Sequence, residues 1–326
     1  MTVHLGFAPD GARARAVDRR MYSDLAASLR HVTGACGERL AYDREAMADV
    51  IASLDEGTRC TPETFASYFD LVSVLIDGDD AAALRIFNEL TSTRHGLAAD
   101  RVLAPLQPLD ACARSARYYR MMVGESDSLG MQPVAAEVAA GFGERFDRGM
   151  TLMRRAVPDL AEEVDAIVHV VVPVASDRNK NMQIDGGSHF QLWGALFLNA
   201  DFHPDDVAML EVIAHESAHS LLFGLCHDEM LVENDDDERY ASPLRTDLRP
   251  MDGIYHATFV SARMHWAMSR LLASGAAEAH RSAIAAALEA DRRNFEAGDS
   301  VVARHGQLTR LGREVMDGAR RYMATA

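Results

Sequence analysis

The pattern of apolar and polar residues changes part-way along the chain, and the change separates two kinds of predicted structure. From Ala14 to about Met153, apolar residues recur every three or four positions, which is the spacing of amphipathic helices. The clearest helix start is Thr61-Pro62-Glu63, an N-cap residue followed by proline in the first turn. The helices predicted in this part of the chain are 18–31, 62–76, 81–90, 109–123 and 134–155.

Beyond residue 165 the spacing becomes typical of strands. Residues 166–175 (AIVHVVVPVA) are nearly continuous in β-branched side chains and predict a buried strand. Residues 190–199 (FQLWGALFLN) predict a second strand, in which Gly194 marks a bulge or a close backbone approach.

The helical spacing then returns for the rest of the chain. Residues 204–225 carry apolar side chains around the whole circumference, which is typical of a buried helix. A long helix is expected from about Asp252 to Ala273, closed by Gly275, and two more over 276–297 and from Ser300.

These elements predict an α+β fold that is predominantly helical, with a small β-sheet flanking the buried helix. We expect residues 1–160 to form a helical platform that contributes to a substrate groove, and residues 161–326 to form the metal-binding catalytic part. Because no Gly/Ser/Pro-rich linker separates these parts, we expect them to pack together as one compact unit.

The composition and net charge of the chain indicate which classes of function are expected. The 326 residues are 48% hydrophobic and 25% charged, as in soluble globular proteins. A formal net charge of −16 supplies no basic footprint for nucleic acid or for an anionic membrane surface. The N-terminal residues lack the apolar core of a signal peptide, and no run reaches transmembrane length. Four widely spaced cysteines without a CxxC pair indicate reduced thiols, so we expect a cytoplasmic protein.

The candidate chemistry lies in the buried helix, in the HExxH pattern His215-Glu216-Ser217-Ala218-His219. Residues four apart share one face of a helix, so both imidazoles can reach a single metal ion. Glu216 lies beside them, where a carboxylate can hold or deprotonate a metal-bound water. Because unpaired polar groups are costly to bury, the pattern predicts a metal centre.

A third ligand has to come from elsewhere, and the residues leave alternatives open. The glycine and the histidine that would extend the motif to a metzincin are both replaced by leucine. Glu229 and Glu233, the nearest downstream glutamates, follow very closely and lie in an acidic segment. Asp252 and His256 remain, four residues apart at the start of the next long helix. His256 would complete a set of three histidines, whereas Asp252 would give the two-histidine, one-carboxylate set of non-haem iron.

The motifs together resemble a known family. The HESAH helix, followed by Ser242-Pro243-Leu244-Arg245 and by Arg249-Pro250-Met251-Asp252-Gly253-Ile254-Tyr255-His256, is similar to the HEXXH-motif peptide modification proteins over roughly residues 190–268. Members accompany gene clusters for ribosomally made, modified peptides, and some hydroxylate a β-carbon of a precursor peptide with iron(II) and 2-oxoglutarate. The resemblance implies His215 and His219 as metal ligands and His256 as the third. This set lacks the usual carboxylate ligand of iron oxygenases, so the roles of Glu216 and Asp252 stay open.

The arginines of these motifs suit a dicarboxylate cosubstrate. Such a cosubstrate chelates the metal through one end, and its distal carboxylate requires a bidentate guanidinium partner. Arg249 is the first candidate and Arg245 the second. We therefore expect an iron(II)- and 2-oxoglutarate-dependent enzyme acting on a precursor peptide. The alternatives are a zinc metallopeptidase with Glu216 as general base, and a non-catalytic peptide-binding protein with a structural metal.

Overall fold

A computed structural model of the chain describes residues 5–92, 101–124, 130–177, 183–226, 229–243 and 247–326. Within these ranges the chain forms eleven α-helices, a small mixed sheet and a two-stranded antiparallel sheet, so the expected α+β, predominantly helical class is confirmed. The helices are α1 (Gly11–Cys36), α2 (Arg44–Asp55), α3 (Pro62–Ile76), α4 (Asp80–Ser92), α5 (Ala113–Val123), α6 (Ala136–Ala156), α7 (Pro158–Ile167), α8 (Asp206–Leu225), α9 (Met251–Ser274), α10 (Arg281–His305) and α11 (Arg310–Met323). The strands are β1 (Val102–Leu103), β2 (Met131–Gln132), β3 (Val170–Ser176), β4 (Gly186–Gly187), β5 (Ala195–Asn199), β6 (Tyr240–Ala241) and β7 (Leu248–Arg249).

The chain forms two compact units, each assembled from separate segments. Unit 1 comprises Met1–Ala14, Ala140–Ala166 and Asp201–Ala326, and unit 2 comprises Arg15–Ala139 and Ile167–Ala200. The functional division expected at about residue 160 stays a prediction. Among the helices of the described ranges, none combines the length and apolar character needed to cross a membrane.

Unit 2 contains the larger sheet, in the order β1-β3-β5-β4, with β2 pairing β3 outside this path. β3 runs parallel to β1 and β5. In the register between β3 and β5, Val172 lies opposite Phe197. β5 is buried throughout and β3 over its first five residues, which explains their nearly continuous apolar sequences.

Both predicted strands are shorter than expected at their starts. The first begins at Val170, because α7 continues to Ile167. In the second, residues 190–192 form a 3₁₀ turn, and the strand begins only after Gly194. Gly194 has a φ of +86°, and a Cβ there would lie 2.6 Å from Cδ2 of His169. The expected close backbone approach at Gly194 is therefore confirmed.

Unit 2 contains a buried carboxylate, that of Asp18. Asp18 accepts hydrogen bonds from Nε2 of His169 at 2.8 Å and from Nε1 of Trp193 at 2.9 Å. The guanidinium of Arg59 lies 3.6 Å away. These partners offset the cost of removing the Asp18 charge from water.

In unit 1 the helices α8, α9 and α10 pack in sequence, α8 against α9 and α9 against α10. The carboxylate of Asp205 caps α8 by accepting from the backbone N–H groups of Val207 and Ala208. Gly275, in the left-handed conformation, ends α9 as its sequence predicted. The break expected between residues 297 and 300 is wrong, because α10 continues to His305.

Unit 1 also contains a buried charge cluster of Arg13, Glu163 and Arg263. Arg13 donates from Nη2 to Oε2 of Glu163 at 2.7 Å, and Arg263 donates to Oε1. Both guanidiniums also bind backbone carbonyls that precede α1: Arg13 those of residues 6 and 8, and Arg263 that of residue 7. One carboxylate therefore supports two buried cations and, through them, the segment leading into α1.

Candidate metal centre

Helix α8 is buried except along one face. Apart from two residues in its first turns, the residues that keep solvent exposure are Glu211, His215, His219 and Phe223. Their four-residue spacing places them in one row along the helix. The expectation of burial on all sides is therefore wrong for this row, which carries both histidines of the motif.

The two imidazoles face each other through their Nε2 atoms, which lie 3.2 Å apart. Metal–nitrogen bonds of about 2.0–2.1 Å would place two nitrogens of a tetrahedral site about 3.3 Å apart. The carboxylate of the buried Glu216 approaches the same pair, with Oε1 3.8 Å from Nε2 of His215. Within the described ranges, one atom from each of these three residues lies within 4.8 Å of the others. The donor types and their separation fit a divalent transition metal.

His256, on α9, approaches the other side of the His219 ring. Its Nδ1 lies 3.1 Å from Nδ1 of His219, and the two rings are inclined by only 14°. Asp252, one turn earlier on α9, has Oδ1 3.8 Å from Nε2 of His256. The structure thus brings all three histidines together, with His256 next to the nitrogen of His219 that faces away from His215. Its role as third ligand stays a prediction, and so does the role of Asp252.

The surroundings of His219 and His256 favour the neutral form of both imidazoles. Burial, together with the neighbouring rings of His215 and His256, lowers the pKa of His219 well below its usual value. Burial also lowers the pKa of His256, although the carboxylate of Asp252 acts in the opposite direction. Neutral imidazole is the form that binds metals, because it keeps a lone pair on one nitrogen.

Met264 is a neighbour of the site that the sequence analysis did not identify. Its sulfur lies 3.1 Å from Nδ1 of His215. Methionine is common in helix interiors, so the residue type alone gives no signal. Its spacing does, because Met264 lies eight residues after His256, two turns along the same face of α9.

Of the two candidate arginines, the structure describes Arg249. Arg245 lies outside the described residues. Arg249 ends β7 and directly precedes Pro250, the N-cap of α9. Its Nε lies 2.9 Å from Oδ2 of Asp247, but this buried nitrogen makes no hydrogen bond within the described part of the chain. The described contacts of Arg249 include none of the site histidines.

No protein-family model matches the chain, and no match is found among curated proteins.

Proposed function

We propose that this protein is an iron(II)- and 2-oxoglutarate-dependent enzyme that hydroxylates a β-carbon in a ribosomally made precursor peptide. The supporting observation is the group formed by His215, Glu216 and His219, two imidazoles and one carboxylate with their donor atoms within 4.8 Å of one another. This is the donor set of non-haem iron oxygenases. The choice of a peptide as substrate rests on the motif resemblance over residues 190–268.

In this proposal His215 and His219 hold the metal through their Nε2 atoms. Glu216 supplies the carboxylate. His256 either binds the metal as well or holds the His219 ring in place through its contact with Nδ1. Bound iron supplies the oxidation chemistry: one atom of O₂ enters the peptide C–H bond, and the other enters succinate as 2-oxoglutarate loses CO₂.

Arg249 has the chemistry to bind the distal carboxylate of 2-oxoglutarate. Its guanidinium side chain is about one-third exposed, with a relative exposure of 34%. It already lies beside one carboxylate, that of Asp247, and its buried Nε has no hydrogen bond to any residue that the structure describes. We propose that the cosubstrate provides a better-aligned, bidentate partner.

A zinc metallopeptidase is the second candidate, and the position of Glu216 favours it. The 3.8 Å from its Oε1 to Nε2 of His215 exceeds the 3.2 Å between the two imidazole nitrogens. A carboxylate set back from the ligand pair suits a general base that takes a proton from metal-bound water.

One experiment separates the two reactions. The metal-free protein is loaded anaerobically with iron(II) or with zinc and incubated with a precursor peptide encoded beside its gene, with and without 2-oxoglutarate and O₂. We expect an intact peptide that has gained one oxygen atom, and an equal amount of succinate, only with iron, O₂ and 2-oxoglutarate. Peptide cleavage without a cosubstrate requirement would overturn the proposal in favour of the peptidase.

Variants at two positions strengthen the distinction. In the oxygenase, Arg249→Ala raises the KM for 2-oxoglutarate, and Arg249→Lys, which keeps the charge but not the fork, recovers part of the loss. In the peptidase, Glu216→Gln abolishes turnover but leaves the metal bound, and the arginine variants have little effect. In the oxygenase, Glu216→Gln also lowers the metal content, because Glu216 is then a ligand.

Whether His256 or Asp252 also binds the metal is tested by metal content rather than by turnover. Loss of bound metal in His256→Ala but not in Asp252→Ala would assign His256 as a ligand. The reverse result would assign Asp252, and retention in both variants would leave Glu216 as the third ligand.

A further inference from the structure

Helix α9 carries a row of residues at four-residue spacing, two of which contact the motif histidines of α8. Asp252, His256 and Met264 belong to this row, and Val260 occupies the position between the last two. His256 contacts His219, and Met264 contacts His215. Each histidine of the HExxH motif therefore has its own neighbour on α9, and in both cases the contact is made to Nδ1.

The contact with Met264 restricts the position of the proton on His215. A thioether sulfur accepts hydrogen bonds but has no proton to donate. At 3.1 Å from Nδ1, it makes a favourable contact only when that nitrogen carries the proton, since two lone pairs would otherwise face each other. A neutral imidazole has one N–H, so the lone pair is then on Nε2, which faces His219.

We propose that Met264 is a positioning residue that holds His215 in the Nδ1-protonated tautomer, with Nε2 ready for a metal ion. This inference rests on the proposed metal centre. The choice of acceptor is unusual, because metal-binding histidines generally donate their second N–H to a carboxylate or a carbonyl, which makes the ligand more basic. A thioether orients the ring without adding negative charge. His215 would therefore donate less electron density to the metal than it would with a carboxylate acceptor at Nδ1.

Three substitutions separate this role from simple packing. Met264→Leu keeps the volume but removes the acceptor, whereas Met264→Gln restores an acceptor as an amide oxygen. Met268→Leu is the matched control, because Met268 lies one turn further along α9 and is fully buried. Two readouts are used: the ¹⁵N chemical shifts of the His215 ring in metal-free protein, assigned by their loss in His215→Ala, and titration with cobalt(II) followed by its visible absorption.

In wild-type protein and in Met268→Leu we expect the proton of His215 on Nδ1. In Met264→Leu we expect a larger fraction with the proton on Nε2 and a cobalt(II) affinity lower by roughly 10-fold, the lower end of the range for lost support of a metal-binding histidine. Met264→Gln should restore both properties.

The inference is overturned if Met264→Leu leaves the tautomer and the affinity unchanged, or if Met268→Leu weakens binding equally. Failure of the wild-type protein to bind cobalt(II) would instead overturn the proposed metal centre, while the ¹⁵N shifts still decide the role of Met264.

Discussion

Replacing Glu163 with glutamine takes away the carboxylate that two buried guanidinium groups share. The side chains of Arg13, Glu163 and Arg263 are at most 2% exposed, so water cannot take the place of the lost charge. The amide of glutamine still accepts one hydrogen bond, but it neutralises neither cation. The variant therefore tests whether the buried cluster stabilises unit 1 through charge.

Breaking a buried ion pair by removing one partner costs about 3–5 kcal/mol, because it leaves an uncompensated charge. Here two cations lose the same partner, although each keeps a backbone carbonyl acceptor, such as that of Phe7 for Arg263. We therefore expect the free energy of unfolding of unit 1 to fall by about 3–5 kcal/mol, a large part of the 5–15 kcal/mol typical of a folded protein.

The chain offers a fluorescent probe for this measurement. Its two tryptophans are divided between the units, with Trp193 in unit 2 and Trp266 in unit 1. In a Trp193→Phe background, in which every variant equally lacks the hydrogen bond from Trp193 to Asp18, urea unfolding followed by the emission of Trp266 reports on unit 1. Glu162→Gln is the control, because this neighbouring side chain is exposed and its loss should change stability by no more than about 0.5 kcal/mol. If Glu163→Gln shifts the transition no further than this control, the charge argument is refuted.

Two further predictions concern stability. Burial, and then the nearby Glu211, raise the pKa of Asp291 to about 8 from 3.8, so the unfolded chain ionises this group at a lower pH than the folded chain does. The free energy of unfolding therefore falls as pH rises from about 4 to 8. Asp291→Asn should raise it by up to about 4 kcal/mol at pH 7 and by less at pH 5. An equal gain at both pH values in urea unfolding would contradict this. Gly194→Ala should cost about 2–5 kcal/mol, for its positive φ and for collision with His169, whereas Gly57→Ala, with a φ of +81° and open space, should cost about 1–2 kcal/mol. Equal losses of stability for the two variants in thermal unfolding would show that the His169 ring moves aside and that the collision adds no cost.

The sequence predicted helix boundaries best where local chemistry determines them. The range 62–76 agrees with α3 at both ends, because Thr61 and Pro62 provide a start that depends on no distant contact. Gly298 shows the opposite case, since it lies inside α10 and does not end it. A Cβ at this position would collide with Thr258 of α9, so the glycine allows two helices to approach closely. That requirement belongs to the packing of the helices, and a single sequence does not contain it.

The candidate metal centre shows the same difference between features that local sequence determines and features that packing determines. The pairing of His215 with His219 follows from helical spacing alone. His256 and Asp252 were the open candidates for the third ligand, and the motif resemblance favoured His256. The side of His219 that His256 approaches depends on the packing of α9 against α8, which spacing does not fix. The contact of Met264 with His215 depends on the same packing. Sequence reasoning thus identified the residues that carry strong chemistry, while the support for those residues required the three-dimensional arrangement.

The order of segments in unit 1 has a consequence for how the protein is made on the ribosome. Unit 2 has all its residues once residue 200 has been synthesised, whereas unit 1 needs a segment that extends to residue 326. At about 5–20 residues per second, the 126 residues between these points take roughly 6–25 s to synthesise. During that time Arg13 and Glu163 are present but Arg263 and both motif histidines are still emerging or unmade. The segments of unit 1 therefore stay incomplete for longer than those of unit 2, and slower translation of residues 201–326 would prolong that interval.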